Sequence, residues 1–376
     1  FPTPLKTSMG YQDDNSWACQ AFSLSDRVDS VKGTPFYRML RAGPREHLHF
    51  DPADPQSCAA IITCGALCPG LNTVIRELVL QLDAYGVQTI YGIPLGFNGV
   101  MERGKWQRLT PEVVKEIHRK GGSIIGSAQG NPPASKTARV LAEAKVRQFF
   151  AIGGDGTQKG ALQVLTEMAS FSYECSVVCV PKTIDNDLPI IDKTFGFDTA
   201  CTEARKAIET AYVEATCNAN CIGFVKLMGM QSGFVAMNAA LASRTVDICL
   251  LPEMEVDTGK LFAQCEHLMK TKGYAVIVMA EGCGGSMLRD VDAASEDNFD
   301  VGVWLKDQIL AHFKKKQLTL TIKYIDPTYM IRTVPANAYD SVYCTALAQH
   351  AVHGSMAGVT GCTVARVYER YVYLPI

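Results

Sequence analysis

FFAIGGDGTQKGA, residues 149–161, decides the fold. Phe149 to Ile152 form a short apolar run suited to a strand covered on both faces. Two glycines and an aspartate follow, and the pattern then becomes helical. A strand that turns through glycine directly into a helix is the repeating unit of a doubly wound α/β fold, where ligands bind outside the carboxyl ends of the strands. Working outward, apolar runs recur at CAAIITC (58–64), VQTIYGI (87–93), SIIGSA (123–128), SVVCVP (176–181), GFVKLMG (223–229), DICLLP (247–252) and AVIVMAEG (275–282). Between them lie amphipathic stretches that read as helices, among them NTVIRELVLQLDAYG (72–86), PEVVKEIHRKGG (111–122) and DTACTEARKAIETAYVEA (198–215). This alternation implies parallel sheets in an α/β architecture. The first 50 residues scatter Pro, Gly, Asp and Ser without period and read as an irregular extension.

Composition excludes several classes of function. The chain has 376 residues, 36 basic against 38 acidic, and a formal charge of −2. That balance argues against an electrostatic nucleic-acid binder. The basic run Lys314–Lys316 falls where a helix should end, a position that favours cations. No apolar stretch reaches the ~20 residues of a membrane-spanning helix. The length suggests two domains of ~100–200 residues each. Most of the 14 cysteines sit inside apolar runs and read as small hydrophobes, which favours a reducing compartment. The pairs Cys64/Cys68 and Cys217/Cys221 lack a second pair at zinc-ligand spacing. His350 and His353 share a helix face without a third ligand and read as structural. The chain opens at Phe1, so the expected location is cytoplasmic or an organelle matrix or stroma, with a cleaved targeting peptide left open.

Chemistry concentrates after the apolar runs. In GGDGTQKGA the glycines let backbone approach a ligand and the helix start favours anions, so Asp155 can hold a magnesium ion that bridges phosphate oxygens. Taken alone, the same turn fits a tight bend whose Asp caps the helix equally well. The turn has company in TCGALCPGLN (63–72), KLMGMQSG (226–233), the MAEG ending at Glu281, and VPKTIDNDLP (180–189). The last leaves a buried run and at once presents Lys182, Thr183, Asp185 and Asp187. Asp185 can accept a hydroxyl proton during phosphoryl transfer and Asp187 can support a magnesium shell. Thr183 can donate to the moving group, with Lys182 supplying positive charge.

Together GGDGTQKGA, PKTIDNDLPIIDKTFGFDTA (181–200), ASRTVDICLLPE (242–253), KYIDPTYMIR (323–332) and AVHGSMAGVTG (351–361) make the chain resemble the phosphofructokinase family from roughly Arg41 onward. It looks most like the plant and protist ATP-dependent 6-phosphofructokinases. The resemblance implies two Rossmann-like three-layer α/β domains with the active cleft between them. The nucleotide-binding domain would span 51–197 plus about 335–358, and the sugar-phosphate domain 198–334 plus about 359–376. It implies glycolytic transfer of the ATP γ-phosphoryl group to fructose 6-phosphate with Mg2+. Asp185 would be the general base and Thr183 a transition-state donor, with Asp155 and Asp187 toward the metal. Ala66, Gln129, Gly130, Gly154, Asp155, Gly156, Thr157 and Lys182 would line the nucleotide. Met228, Gly229, Met230, Glu281, Tyr329 and Arg332 would join Thr183 and Asp185 around the sugar phosphate. Gly156 stands where pyrophosphate-dependent members carry Asp, which indicates ATP.

Four positions depart from the family pattern. Ala66 replaces a glycine where backbone approaches phosphate, and its methyl is expected to crowd the nucleotide. Gln129, Met230 and Asn98 each replace an arginine. The acceptor side is thus expected to be intact and ATP binding weak. The expected role is a weakly active or inactive regulatory or structural subunit in a homo- or hetero-oligomer, alongside an active paralogue or in a larger assembly. The alternative is a fully active glycolytic enzyme.

Overall fold

The computed structural model describes residues 1–7, 10–21, 36–284 and 299–376, in two units. The first holds Phe1–Thr183, Pro189–Phe195 and Pro335–Ile376, and the second holds Ile184–Leu188 and Gly196–Val334. In chain order the first unit begins with β1 (Trp17–Ala21), β2 (Phe36–Arg41), β3 (Cys58–Thr63) and α1 (Leu71–Tyr85). There follow β4 (Ile90–Gly92), β5 (Gln107–Arg108), α2 (Pro111–Val114), α3 (Ala134–Glu143), β6 (Val146–Gly153), α4 (Asp155–Ser170) and β7 (Ser176–Pro181). Strands β3 and β7 are buried along their whole length, as continuous apolar runs require. Helix α1 buries Leu71, Val74, Ile75, Leu78 and Leu82, and stops where Gly86 turns left-handed and its N–H returns to the Leu82 and Asp83 carbonyls.

The second unit contains α5 (Phe197–Cys217), β8 (Cys221–Leu227), α6 (Phe234–Ser243), β9 (Ile248–Leu250), α7 (Thr258–Thr271) and β10 (Tyr274–Ala280). It continues with α8 (Val301–Lys315), β11 (Thr321–Ile325) and α9 (Thr328–Arg332). Among the described residues its sheet has the order β11-β8-β10-β9, every pair parallel. One face packs Val225, Leu227, Val276 and Val278 on α5 and α6, and the other packs Phe224, Ile277 and Met279 on α7 and α8.

The chain then returns to the first unit as α10 (Ala338–Met356), β12 (Cys362–Val367) and β13 (Arg370–Pro375). The first unit's sheet runs β1-β2-β13-β12-β7-β6-β3-β4-β5 among the described residues. It is parallel from β12 through β4 and antiparallel at both flanks. In both units the carboxyl ends of the parallel strands carry the residues singled out above, where doubly wound folds bind ligands.

Four expectations need correction. The first 50 residues are not wholly irregular: β1 and β2 pair antiparallel, Trp17 opposite Leu40, though residues 22–35 lie outside the described ones. These are flank strands whose described buried residues are only Ala18 and Met39, so they carry no long apolar run. SIIGSA is not a strand. Its Ile124 N–H donates to Asn72 Oδ1 at 2.8 Å, while the Asn72 amide takes the Lys120 and Gly121 carbonyls at 3.0 and 3.3 Å. A side chain on α1 thus replaces a neighbouring strand. PEVVKEIHRKGG forms only the short α2, capped by the Thr110 hydroxyl, and a single turn at Ile117–Arg119. Its three β-branched residues and terminal Gly pair resist a longer helix. The terminal hairpin, expected in the second unit, joins the first because β12 pairs with β7, Cys362 opposite Val178.

A histidine pair, His353 buried and His350 half-buried, joins α10 to this core. His353 Nδ1 lies 2.8 Å from the Tyr85 hydroxyl, and the His350 ring stacks on Tyr371 at 4.6 Å. Burial pushes His350 down to about 4 and His353 down to about 3. The unfolded chain takes up these protons near pH 6.5 and the folded one does not, so stability falls as pH drops from 6.5 toward 4. The expected slope is ~1.4 kcal/mol per pH unit for each histidine. Thermal melts from pH 7 to pH 4 measure it, and His350→Gln/His353→Gln should flatten the curve in that window. An equally steep curve in the double variant would contradict the assignment.

Candidate active site

In the first unit the ends of β3 and β6 and the loop at 128–131 meet around one cavity of about 310 Å³. It is lined by Cys64, Gly65, Ala128, Gln129, Gly130, Asn131, Gly154, Asp155, Gly156 and Thr157. The loop after β3 is tied to residues 126–128: Gly65 N–H donates to the Ala128 carbonyl at 3.0 Å, and Ser127 Oγ donates to the Gly65 carbonyl at 2.6 Å. Gly65 holds φ +81°, a left-handed turn that side-chain-bearing residues rarely adopt. The amino end of α4, with Gly154 as its cap and no side-chain cap, opens on the same space. Its first-turn N–H groups and helix dipole favour an anion. Asp155 stands there with an exposed carboxylate, paired with Lys159 at 3.1 Å. An added Cβ at Gly156 would meet nothing within 4 Å. Burial pushes the Cys64 thiol up, only partly offset by its hydrogen bonds to Phe97 and Thr157, so Cys64 is a neutral floor.

Of the expected nucleotide residues, Gln129, Gly130, Gly154, Asp155, Gly156 and Thr157 line this cavity, whereas Ala66 and Lys182 do not. Ala66 is exposed, and its carbonyl accepts from Lys182 Nζ at 2.6 Å. The Ala66 methyl is thus not part of the lining of this cavity. Lys182, 6% exposed, braces the loop from below. Asn131 belongs to none of the motifs above. Its amide donates to the Gly156 carbonyl at 3.0 Å, and a Cβ at Gly160 would come within 2.9 Å of that amide. Asn98 donates to the Gln129 carbonyl at 3.1 Å, so two of the positions that lack the family's arginine touch each other.

In the second unit the acceptor-side residues follow β8, β10 and β11. Gly229, at φ +130°, has no room for a Cβ, which would lie 2.2 Å from the Ser232 carbonyl. Its N–H donates to Glu281 Oε1 at 3.3 Å, and Gly282 N–H donates back to the Gly229 carbonyl at 2.9 Å. The Ser232 hydroxyl holds the Asp185 carbonyl at 3.3 Å. Asn186, next in the chain, takes φ +57°, a conformation its short amide tolerates. Asp187 is exposed. Met228 is buried and accepts through its sulfur from Arg332 Nε at 3.2 Å. Met230 and Tyr329 stand out from the surface at 65% and 80% exposure. Thr183 belongs to the first unit and Asp185 to the second, so the motif that carries them is where the chain passes from one to the other.

These parts define a doubly wound α/β protein of two units. The phosphofructokinase family model matches residues 58–355, and the chain belongs to that family. ATP-dependent 6-phosphofructokinase 7 of Arabidopsis thaliana is 46% identical over 391 residues, covering 100% of this chain and 79% of that one. ATP-dependent 6-phosphofructokinase of Borreliella burgdorferi is 40% identical over 353 residues, covering 89% of this chain and 78% of that one. Among solved structures, the pyrophosphate-dependent phosphofructokinase of Marinobacter aquaeolei matches with a TM-score of 0.71 at 20% identity, over 85% of this chain and 81% of that one. At that identity the likeness speaks for the fold alone. Among the described residues no helix is long and apolar enough to cross a membrane.

Proposed function

We propose that the chain is an ATP-dependent 6-phosphofructokinase, moving the γ-phosphoryl group of ATP to the 1-hydroxyl of fructose 6-phosphate. The observation that carries this reading is 46% identity along its whole length to a plant protein of that name. Asp185 takes the proton of the attacking hydroxyl, and Thr183 donates to the transferring group. Glu281 holds sugar hydroxyls, and Tyr329 and Arg332 hold the sugar phosphate. The glycine-lined cavity at the start of α4 takes the nucleotide phosphates. Among the described residues no three His, Cys, Asp or Glu gather into a metal cage. That suits magnesium, which is usually held by one or two carboxylates plus substrate phosphates and water. Asp155 fits such a role, because its carboxylate is exposed on the cavity lip and its Lys159 partner is solvent-accessible. Asp187 would support the ion's outer shell. The ion supplies charge neutralisation on the phosphate oxygens. The expected compartment is the cytoplasm or an organelle matrix or stroma.

One observation favours a second reading, in which catalysis is weak or lost. None of the residues lining the cavity is basic. Lys182 points to the Ala66 carbonyl, and Met230 presents a thioether where the family has arginine. Loss of a single preorganised donor costs roughly 10²–10³ in rate. On this reading the chain serves as a regulatory or structural subunit, in an oligomer with a competent relative or in a larger assembly. A coupled assay with fructose 6-phosphate and Mg–ATP decides. Turnover in the usual range of about 1–100 s⁻¹ supports the first reading. Turnover lower by ~10³ or more, with sugar-phosphate binding retained, supports the second. Loss of both would sink both.

A further inference from the structure

Lys226 lies in β8 as the one charge in an apolar strand, its side chain 12% exposed. Its ammonium donates to Asp300 Oδ2 at 2.7 Å and pairs with Asp326 Oδ2 at 2.9 Å. Tyr324 on β11 donates to the other Asp300 oxygen at 3.3 Å. Burial alone would lower the Lys226 ammonium, but its bonds to Asp300 and Asp326 more than reverse that and hold it charged. Each carboxylate also starts a helix. Asp300 Oδ1 accepts the Gly302 and Val303 N–H groups at the head of α8. Asp326 Oδ1 accepts the Thr328 N–H at 3.0 Å at the head of α9.

Helix α9 is five residues long, too short to hold itself, and it carries Tyr329 and Arg332. Its buried side chains are Thr328 and Ile331, while Tyr329 and Met330 face outward. Beyond the buried Thr328 and Ile331, the helix's described ties are the Arg332 bond to Met228 Sδ at its far end and the carboxylate of Asp326 at its head. Of these, only the tie at Asp326 belongs to an ion pair, the one with Lys226. We propose that Lys226 and Asp326 are positioning residues, whose ion pair fixes the direction in which α9 presents Tyr329 and Arg332 and so sets the affinity for the sugar phosphate. This rests on the reading of Tyr329 and Arg332 as the sugar-phosphate residues.

Asp300→Asn and Asp326→Asn make the test, because each removes one of the two carboxylates on Lys226 while Asn keeps the helix-cap acceptor. A merely structural ion pair gives the two variants the same effect. Positioning gives an asymmetric one: in Asp326→Asn the calorimetric Kd for fructose 6-phosphate rises ~10-fold while that for Mg–ATP holds, and Asp300→Asn changes neither. Amide hydrogen exchange at residues 328–333 should accelerate in Asp326→Asn alone. Lys226→Arg should preserve the sugar-phosphate affinity that Lys226→Met loses, since guanidinium can also bridge two carboxylates. Equal effects of the two Asn variants, or unchanged affinity and exchange in Asp326→Asn, overturn the proposal. If the unaltered chain binds no fructose 6-phosphate, the sugar-phosphate reading fails on its own, and the exchange comparison still decides whether Asp326 orients α9.

Discussion

Asp185→Asn is expected to slow phosphoryl transfer by roughly 10²–10⁴-fold, the usual worth of a positioned general base. Asparagine matches the carboxylate in shape and cannot take up the hydroxyl proton. The fold around the position should survive, because the tie to Ser232 runs through the Asp185 carbonyl rather than its side chain. Affinity for fructose 6-phosphate should therefore change far less than the rate. A coupled assay and calorimetry on the same preparation separate the two quantities. A variant that turned over like its parent would remove Asp185 from the base role.

The second large effect is a gain. On the reading in which catalysis is weak, the repaired chain Ala66→Gly/Gln129→Arg/Met230→Arg turns over ~10²–10³ times faster than its parent, as each restored cation meets charge building on the transferring group; on the ordinary-enzyme reading its rate stays within a few-fold. The three changes should not contribute equally. Ala66 lies outside the cavity and its carbonyl is already engaged by Lys182, so Ala66→Gly alone should do little. Gln129 lines the cavity and its carbonyl is held by Asn98, so an arginine there starts from a fixed backbone. An unchanged rate in the repaired chain would mean that charge is neutralised by other means and that the ordinary-enzyme reading stands.

The parallel strands are legible in the sequence for a simple reason. Strands covered on both faces, such as β3, β6 and β7, must be apolar throughout, and their helices must follow at once. The glycine turn at 153–156 is legible too, since a strand running into glycine and then a helix has few other uses. What escapes notice acts over distance. Asn72 sits inside an ordinary helix pattern, yet its amide shapes the backbone 48 residues on. Lys226 looks like a stray charge because its partner Asp300 lies 74 residues away. Motif comparison places Ala66 against the nucleotide. The left-handed turn at Gly65 beside it depends on φ rather than on residue type alone.

The late return of the chain to the first unit has a consequence for how this protein is made. The side of β7 that finally pairs with β12 is completed by residues far downstream, as when the Ser176 hydroxyl donates to the Val359 carbonyl across 183 residues of chain. At ribosomal speeds of ~5–20 residues per second, that delay is on the order of 10–40 s. Throughout it the nascent first unit carries an open strand edge, and the apolar face of α1 lacks α10. Such an edge invites pairing with other chains. The second unit, nearly continuous in sequence, emerges whole within the same interval and can close first. The first sheet is therefore half-built for longer than any other part of this chain during synthesis.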